Sequence, residues 1–155
     1  MINLPKLNLP TYQAKIRVIE EKNEIWDPAR KKYVSLIPEE WVRQNFINYL
    51  TENLNYPLSL IKVEGSIVYN QKSKRPDVVI FSNIGKPQMI IECKATDVKI
   101  SKQVFEQISI YNKVITAPYL VVTNGLIHFC CRQNFNTNDI SFLDHIPTYQ
   151  SLINS

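Results

Sequence analysis

Asp77, Glu92 and Lys94 are the residues of this 155-residue chain whose types and order could do chemistry. They sit in Arg75-Pro76-Asp77-Val78-Val79-Ile80-Phe81 and, beyond a Gly-Lys-Pro turn, in Met89-Ile90-Ile91-Glu92-Cys93-Lys94-Ala95. Both stretches read as short β-branched strands bounded by turn residues, which predicts a hairpin. Side chains alternate faces along a strand, so Glu92 and Lys94 point the same way. Asp77 opens the neighbouring strand within reach of them. Two carboxylates and an amine would then converge in a sheet that is otherwise apolar, where charge is costly.

A hard divalent cation such as Mg²⁺, with Mn²⁺ as a substitute, takes one or two carboxylates and leaves its remaining positions to water and phosphate. Asp77 and Glu92 supply that minimum, and the backbone carbonyl of Cys93 could add a ligand. Bound metal acidifies its water and offsets charge on an attacked phosphate. Lys94 could orient the water or stabilise the added negative charge. These are the parts that phosphodiester hydrolysis needs. The competing reading is an ion pair between Glu92 and Lys94 on a solvated face. A Glu-x-Lys spacing alone carries little, since Glu20-Glu21-Lys22 repeats it in a wholly polar context.

The elements that must position these groups follow from the pattern around them. Residues Met1 to Tyr12 look like an extended arm, and Ile16 to Ile19 and Lys32 to Leu36 like strands turned by Asp27-Pro28 and a basic cluster. Pro38 suits a helix first turn and Glu39 and Glu40 favour its positive end. Val42, Phe46, Tyr49, Leu50 and Leu54 recur at helical spacing. Leu60 to Tyr69 alternates as a strand, with Glu64 on its polar face. Ser101 would cap a second helix whose stripe is Val104, Ile108, Tyr111 and Ile115, ended by Pro118. Asn124-Gly125 between Tyr119–Thr123 and Leu126–Cys130 signals another hairpin, and a weak element lies near Phe142-Leu143. This order predicts an α/β fold, a single-domain sandwich with a mixed central sheet flanked by helices. Residues 1–33 form its arm and hairpin, 34–135 its core, and 136–155 a tail packing on the same domain.

Composition bounds the rest. A hydrophobic share of 45% and a charged share of 21% suit one globular domain. A net charge of +4 tolerates a polyanionic partner. The cluster Lys72-Ser73-Lys74-Arg75 draws interest because Arg75 abuts Asp77. Cys93, Cys130 and Cys131 form no spaced disulfide framework, and no apolar run reaches membrane-spanning length, so a cytoplasmic protein is expected. His128 and Cys130 share a strand face, but a zinc site needs four ligands at closed spacing. Only three glycines are present, too few for a phosphate-binding loop, so any motor activity is expected from another chain.

Pro76-Asp77, an intervening strand and Glu92-Cys93-Lys94 together resemble the motif of the PD-(D/E)XK nuclease superfamily. The likeness is closer to the nuclease domain at the N-terminus of type I restriction enzyme R proteins. It takes in Pro38-Glu39-Glu40-Trp41-Val42-Arg43-Gln44, the Gln107-x-x-x-Tyr111 helix and Tyr119-Leu120-Val121-Val122-Thr123-Asn124-Gly125, about Val34 to Phe129. The resemblance implies a restriction-endonuclease-like sandwich in which Asp77 and Glu92 bind metal and Lys94 assists the attacking water. It implies that Gln107 and Tyr111 support the site or contact DNA, and that Glu40 on the first helix helps to hold metal. DNA is the implied substrate, with motor or specificity subunits as partners and RNA left open. The rival reading is a non-catalytic DNA-binding or assembly module that has kept this fold.

Overall fold

The computed structural model describes residues 3–63 and 76–154, with the side chain of Tyr111 left out. Arg75, Glu64 and the continuation of the strand expected from Leu60 to Tyr69 lie outside the described residues. Three N-terminal strands, β1 (Ile16–Ile19), β2 (Lys22–Asp27) and β3 (Lys32–Ser35), form a small antiparallel sheet. The helix α1 (Pro38–Glu52), a short 3-10 turn (Leu58–Leu60) and β4 (Ile61–Val63) follow. Next come β5 (Val78–Phe81), β6 (Pro87–Cys93), α2 (Lys102–Ile115), β7 (Tyr119–Thr123), β8 (His128–Gln133), β9 (Ile140–Leu143) and α3 (Tyr149–Ile153).

Strands β4 to β9 pair in chain order as one six-stranded sheet. All its pairs are antiparallel except β6 with β7, which α2 joins as a crossover. The mixed sheet flanked by helices is the architecture that the sequence predicts. Its two faces are two cores. Val78, Ile80, Met89, Ile91, Cys93 and Val121 pack under Val42, Phe46, Ile47 and Leu50 of α1. Val79, Ile90, Leu120 and Val122, the alternate positions on the same strands, pack under Ile108 and Ile115 of α2. Alternation therefore decides which helix each strand residue meets.

The differences from the sequence reading have local causes. β2 lies between the two expected N-terminal strands, because Glu20 and Glu21 both take positive φ and turn the chain back at once. The second helix stops at Ile115, before Pro118: Thr116 is left-handed, and the Asn112 side chain both donates to and accepts from the backbone of Ala117. The β7–β8 hairpin closes through four residues, and β8 starts at His128 instead of Leu126. Asn124 Oδ1 accepts the amides of Leu126 and Ile127, which holds the longer loop. The helix α3 closes the C-terminus with Leu152 in the α1-side core, where short polar sequence gave no helical periodicity.

Buried ion pairs also escape a reading by periodicity. Asp27 is fully buried; its carboxylate accepts the amides of Ala29 and Arg30 and pairs with the Arg30 guanidinium. Arg30 reaches on to Glu40 at 2.7 Å, which ties the N-terminal sheet to α1. Removing one partner of such a pair strands the other in low dielectric. Asp27→Ala should cost about 3–5 kcal/mol in urea unfolding, whereas Arg17→Ala, which breaks the exposed Arg17–Glu24 pair, should cost under about 1 kcal/mol.

Candidate active site

The antiparallel register of β5 with β6 sets Val78 opposite Ile91. One step outward, Asp77 therefore falls opposite Glu92, on the face that α2 covers. The Asp77 carboxylate reaches across, and its Oδ2 accepts the backbone amide of Cys93 at 2.6 Å. That bond fixes the end of β6 where Glu92 and Lys94 emerge. Beyond Cys93 the Lys94 amide donates to the Thr123 carbonyl at 2.8 Å, so β7 holds the chain through the reactive segment. Asn124 Nδ2 donates to the Val98 carbonyl and pins the loop that follows.

Within this frame Lys94 Nζ lies 3.5 Å from Glu92 Oε1. The ion pair is not on a solvated face: the Glu92 side chain is 10% exposed and that of Lys94 26%. Glu92 Oε2 is buried with no hydrogen-bond partner among the described residues. A buried carboxylate oxygen without a donor is uncommon and costly. Burial pushes the Glu92 carboxyl up to about 8; the facing Asp77 charge pushes the same way, and Lys94 only partly opposes them. The site thus holds two carboxylates whose mutual repulsion a single lysine does not cancel, a donor set that suits a divalent cation. No cluster of three or more His, Cys, Asp or Glu side chains occurs among the described residues, so a cation here would draw further ligands from backbone, water or substrate.

The other sequence candidates separate. Glu40 is 4% exposed, with Arg30 Nη2 at 2.7 Å, Gln44 Nε2 at 2.9 Å and Arg43 Nε at 3.2 Å from its carboxylate oxygens. Glu40 stands in the first turn of α1 as expected, and Arg30 and Gln44 are partners that sequence reasoning missed. The i+4 spacing of Gln44 was its only signal, and no spacing in the sequence marked Arg30. Glu40 and Arg43 both act on the buried Cys93 thiol, which burial pushes well up, so this network lies beneath β6 on the face opposite Glu92. Gln107 is half-buried on α2 and lines an open cleft with Gln103, Val104, Glu106 and Ile110. Tyr111 lies one turn further along α2. His128 is engaged through Nδ1 with Thr123 Oγ1 and through Nε2 with the Asn8 carbonyl, and Cys93, Cys130 and Cys131 are buried free thiols.

A family model described as the type I restriction enzyme R protein N terminus matches residues 38–147, from the start of α1 to the approach to α3. No curated protein matches the chain. A solved structure similar to it is a fragment of a proposed HsdR subunit of a type I restriction enzyme from Vibrio vulnificus YJ016. The two are 22% identical with a TM-score of 0.41, over 61% of this chain and 18% of the other. With more than two thirds of its length matched, from α1 through the whole described central sheet, the chain belongs to the family of type I restriction enzyme R protein N-terminal domains.

Proposed function

We propose that this domain hydrolyses phosphodiester bonds of DNA with a divalent metal, Mg²⁺ or Mn²⁺, as the nuclease unit of a type I restriction R subunit. The observation that carries this reading is the facing of Asp77 and Glu92 on adjacent strands, with a buried Glu92 oxygen that has no donor among the described residues and a carboxyl close enough to share a hydrogen bond with Asp77. Family membership supports DNA as the substrate and motor or specificity subunits as partners, and the site combines the Asp and Glu-x-Lys elements of a PD-(D/E)XK nuclease.

In this reading Asp77 and Glu92 hold the metal, with the Cys93 carbonyl as a further ligand. The cation, when bound, would lower the pKa of its water and neutralise charge on the scissile phosphate. Asp77 has a second task, since its bond to the Cys93 amide keeps β6 in register at the site. Lys94, anchored through its amide and 26% exposed at its side chain, orients the attacking water and stabilises the pentacovalent phosphate. Gln107 contacts the DNA backbone from the open side of α2, with Tyr111 beside it. Glu40, held by Arg30, Arg43 and Gln44, supports the site from beneath β6. The intact triad favours catalysis over the binding-module alternative, because a pure binder gains nothing from desolvated carboxylates near phosphate.

Metal-dependent cleavage of duplex, nicked and single-stranded DNA by the purified domain tests the reading. Asp77→Ala and Lys94→Ala should each lower the cleavage rate by about 100-fold or more while the melting curve stays cooperative. Wild-type protein inert on every form with Mg²⁺ and Mn²⁺ would sink it.

The raised carboxyl of Glu92 fixes a sign for stability. Its folded value of about 8 exceeds the unfolded value of 4.5, so the folded state binds the extra proton between them. Stability from this group is complete below the unfolded value and is lost as pH rises through the folded one. Without metal, Glu92→Gln should therefore melt higher than wild type at pH 8.5, by at least about 3 °C, and the gap should close toward pH 5. Excess Mg²⁺ at pH 8.5 should raise the wild-type melting temperature and raise that of Glu92→Gln much less. A gap that widens toward pH 5 would contradict the assignment.

Gln107→Ala should weaken DNA binding while changing stability by no more than about 0.5 kcal/mol, as expected for an amide that fills no core volume. Paired melts and binding titrations check it; a large stability loss with unaltered affinity would make Gln107 a packing residue.

A further inference from the structure

Across the sheet face that carries the two carboxylates lies an aromatic cluster to which the proposed reaction gives no role. Phe105 on α2 meets Phe129 on β8 and Phe142 on β9 edge to face, with ring centroids 5.8 Å and 5.5 Å apart. Phe129 is 38% exposed and Phe142 64% exposed. Single exposed apolar residues are ordinary, but contiguous ones mark a contact surface.

The register places this cluster in line with the site. Glu92 pairs with Val122, and Val122 pairs with Phe129, so Asp77, Glu92, Val122 and Phe129 form one row across four strands. Phe129 therefore stands two strand spacings from Glu92, about 10 Å. Ile140 and Phe142 belong to the same face, since Gln133 pairs with Ile140 and the α2-side Cys131 pairs with Phe142.

The ground between site and rings is the start of α2. Because β6 and β7 are parallel and joined by α2, the helix begins at the end of the sheet where β6 delivers Glu92 and Lys94. Its first turn has no carboxylate, and Lys99 and Lys102 stand exposed there. Asp97 is the acidic residue of the preceding loop, and Glu106 lies a turn further on. Lysines at a helix N-terminus favour phosphate, and the ring faces beyond them favour flat apolar groups. Phosphates alternating with stackable rings are the chemistry of a single nucleic-acid strand. A duplex buries its base faces and has no use for the rings.

We propose that Phe105, Phe129 and Phe142 form a stacking platform for unpaired bases of the strand whose phosphodiester lies at Asp77 and Glu92. The inference rests on the nuclease reading for the position of the phosphate and adds to it a substrate class, DNA with a single-stranded segment next to the scissile bond.

The test is fluorescence anisotropy in EDTA with labelled oligothymidylate and a labelled duplex of equal length, on wild type, Phe129→Leu, Phe142→Leu and Phe142→Trp. Leucine keeps the apolar volume and removes the ring. Oligothymidylate should bind wild type more tightly than duplex does, and each leucine variant should lose about ten-fold of that affinity. Phe142→Trp should retain it, with its indole emission quenched on binding, and duplex affinity should be the same throughout. Leucine variants that hold oligothymidylate as tightly as wild type would overturn the proposal. So would sedimentation showing a wild-type oligomer that Phe142→Leu dissociates, since the rings would then dock protein. Binding is read without metal, so an inactive metal site cannot imitate either result, and failed cleavage with ring-dependent binding would count against the nuclease reading alone.

Discussion

The burial of Glu92 beside Asp77, two acids held face to face on neighbouring strands, is the constraint on which the site depends. Asp77 and Glu92 are opposed by the register of β5 with β6, which the Asp77 bond to the Cys93 amide holds at that end of the strands. A slip of one residue would send Val79 and Ile90 to the α1 core and carry Glu92 through the sheet. The apolar strands thus place the acids indirectly: with Val78, Val79, Ile90 and Ile91 buried, the strand pairing sets an acid facing an acid. Lys94 relieves one oxygen of the pair, and the other remains without a donor among the described residues.

A second set of charges, on the opposite face of β6, behaves differently because its acids are paired with cations. Glu40 carries three cationic or amide donors, and Asp27 and Arg30 pass the link to the N-terminal sheet. That sheet precedes the segment matched by the family model. The Arg30–Glu40 pair joins that part of the chain to α1, along whose first half the polar residues Glu40, Arg43, Gln44 and Asn45 are buried. Both groups of acids are buried. One is paired with cations on its own side of the sheet, and in the other a single lysine faces two acids.

Much of this was legible from sequence, and the reasons are physical. The start of α2 after Ser101, the β5–β6 hairpin and the shared face of Glu92 and Lys94 follow from a capping residue, turn residues and strand alternation, all local properties. The tight Glu20-Glu21 turn was missed because its positive φ values fall on residues that do not advertise them. The Asp27–Arg30–Glu40 chain was missed because Asp27-Pro28 reads only as a turn and because Arg30 meets Glu40 of α1 by tertiary contact. The aromatic cluster was invisible for the same reason: Phe105, Phe129 and Phe142 meet only once β8 and β9 pair beside α2.

The central claim is that the facing carboxylates bind a divalent cation in place of a proton. Isothermal titration of Mn²⁺ at pH 7, repeated in buffers of different ionisation enthalpy, counts the protons released on binding. With Glu92 pushed up to about 8, the wild-type protein should release about one proton per ion bound, and Glu92→Gln should release none and bind more weakly. Equal binding by the two proteins, or binding with no proton released, would contradict the account.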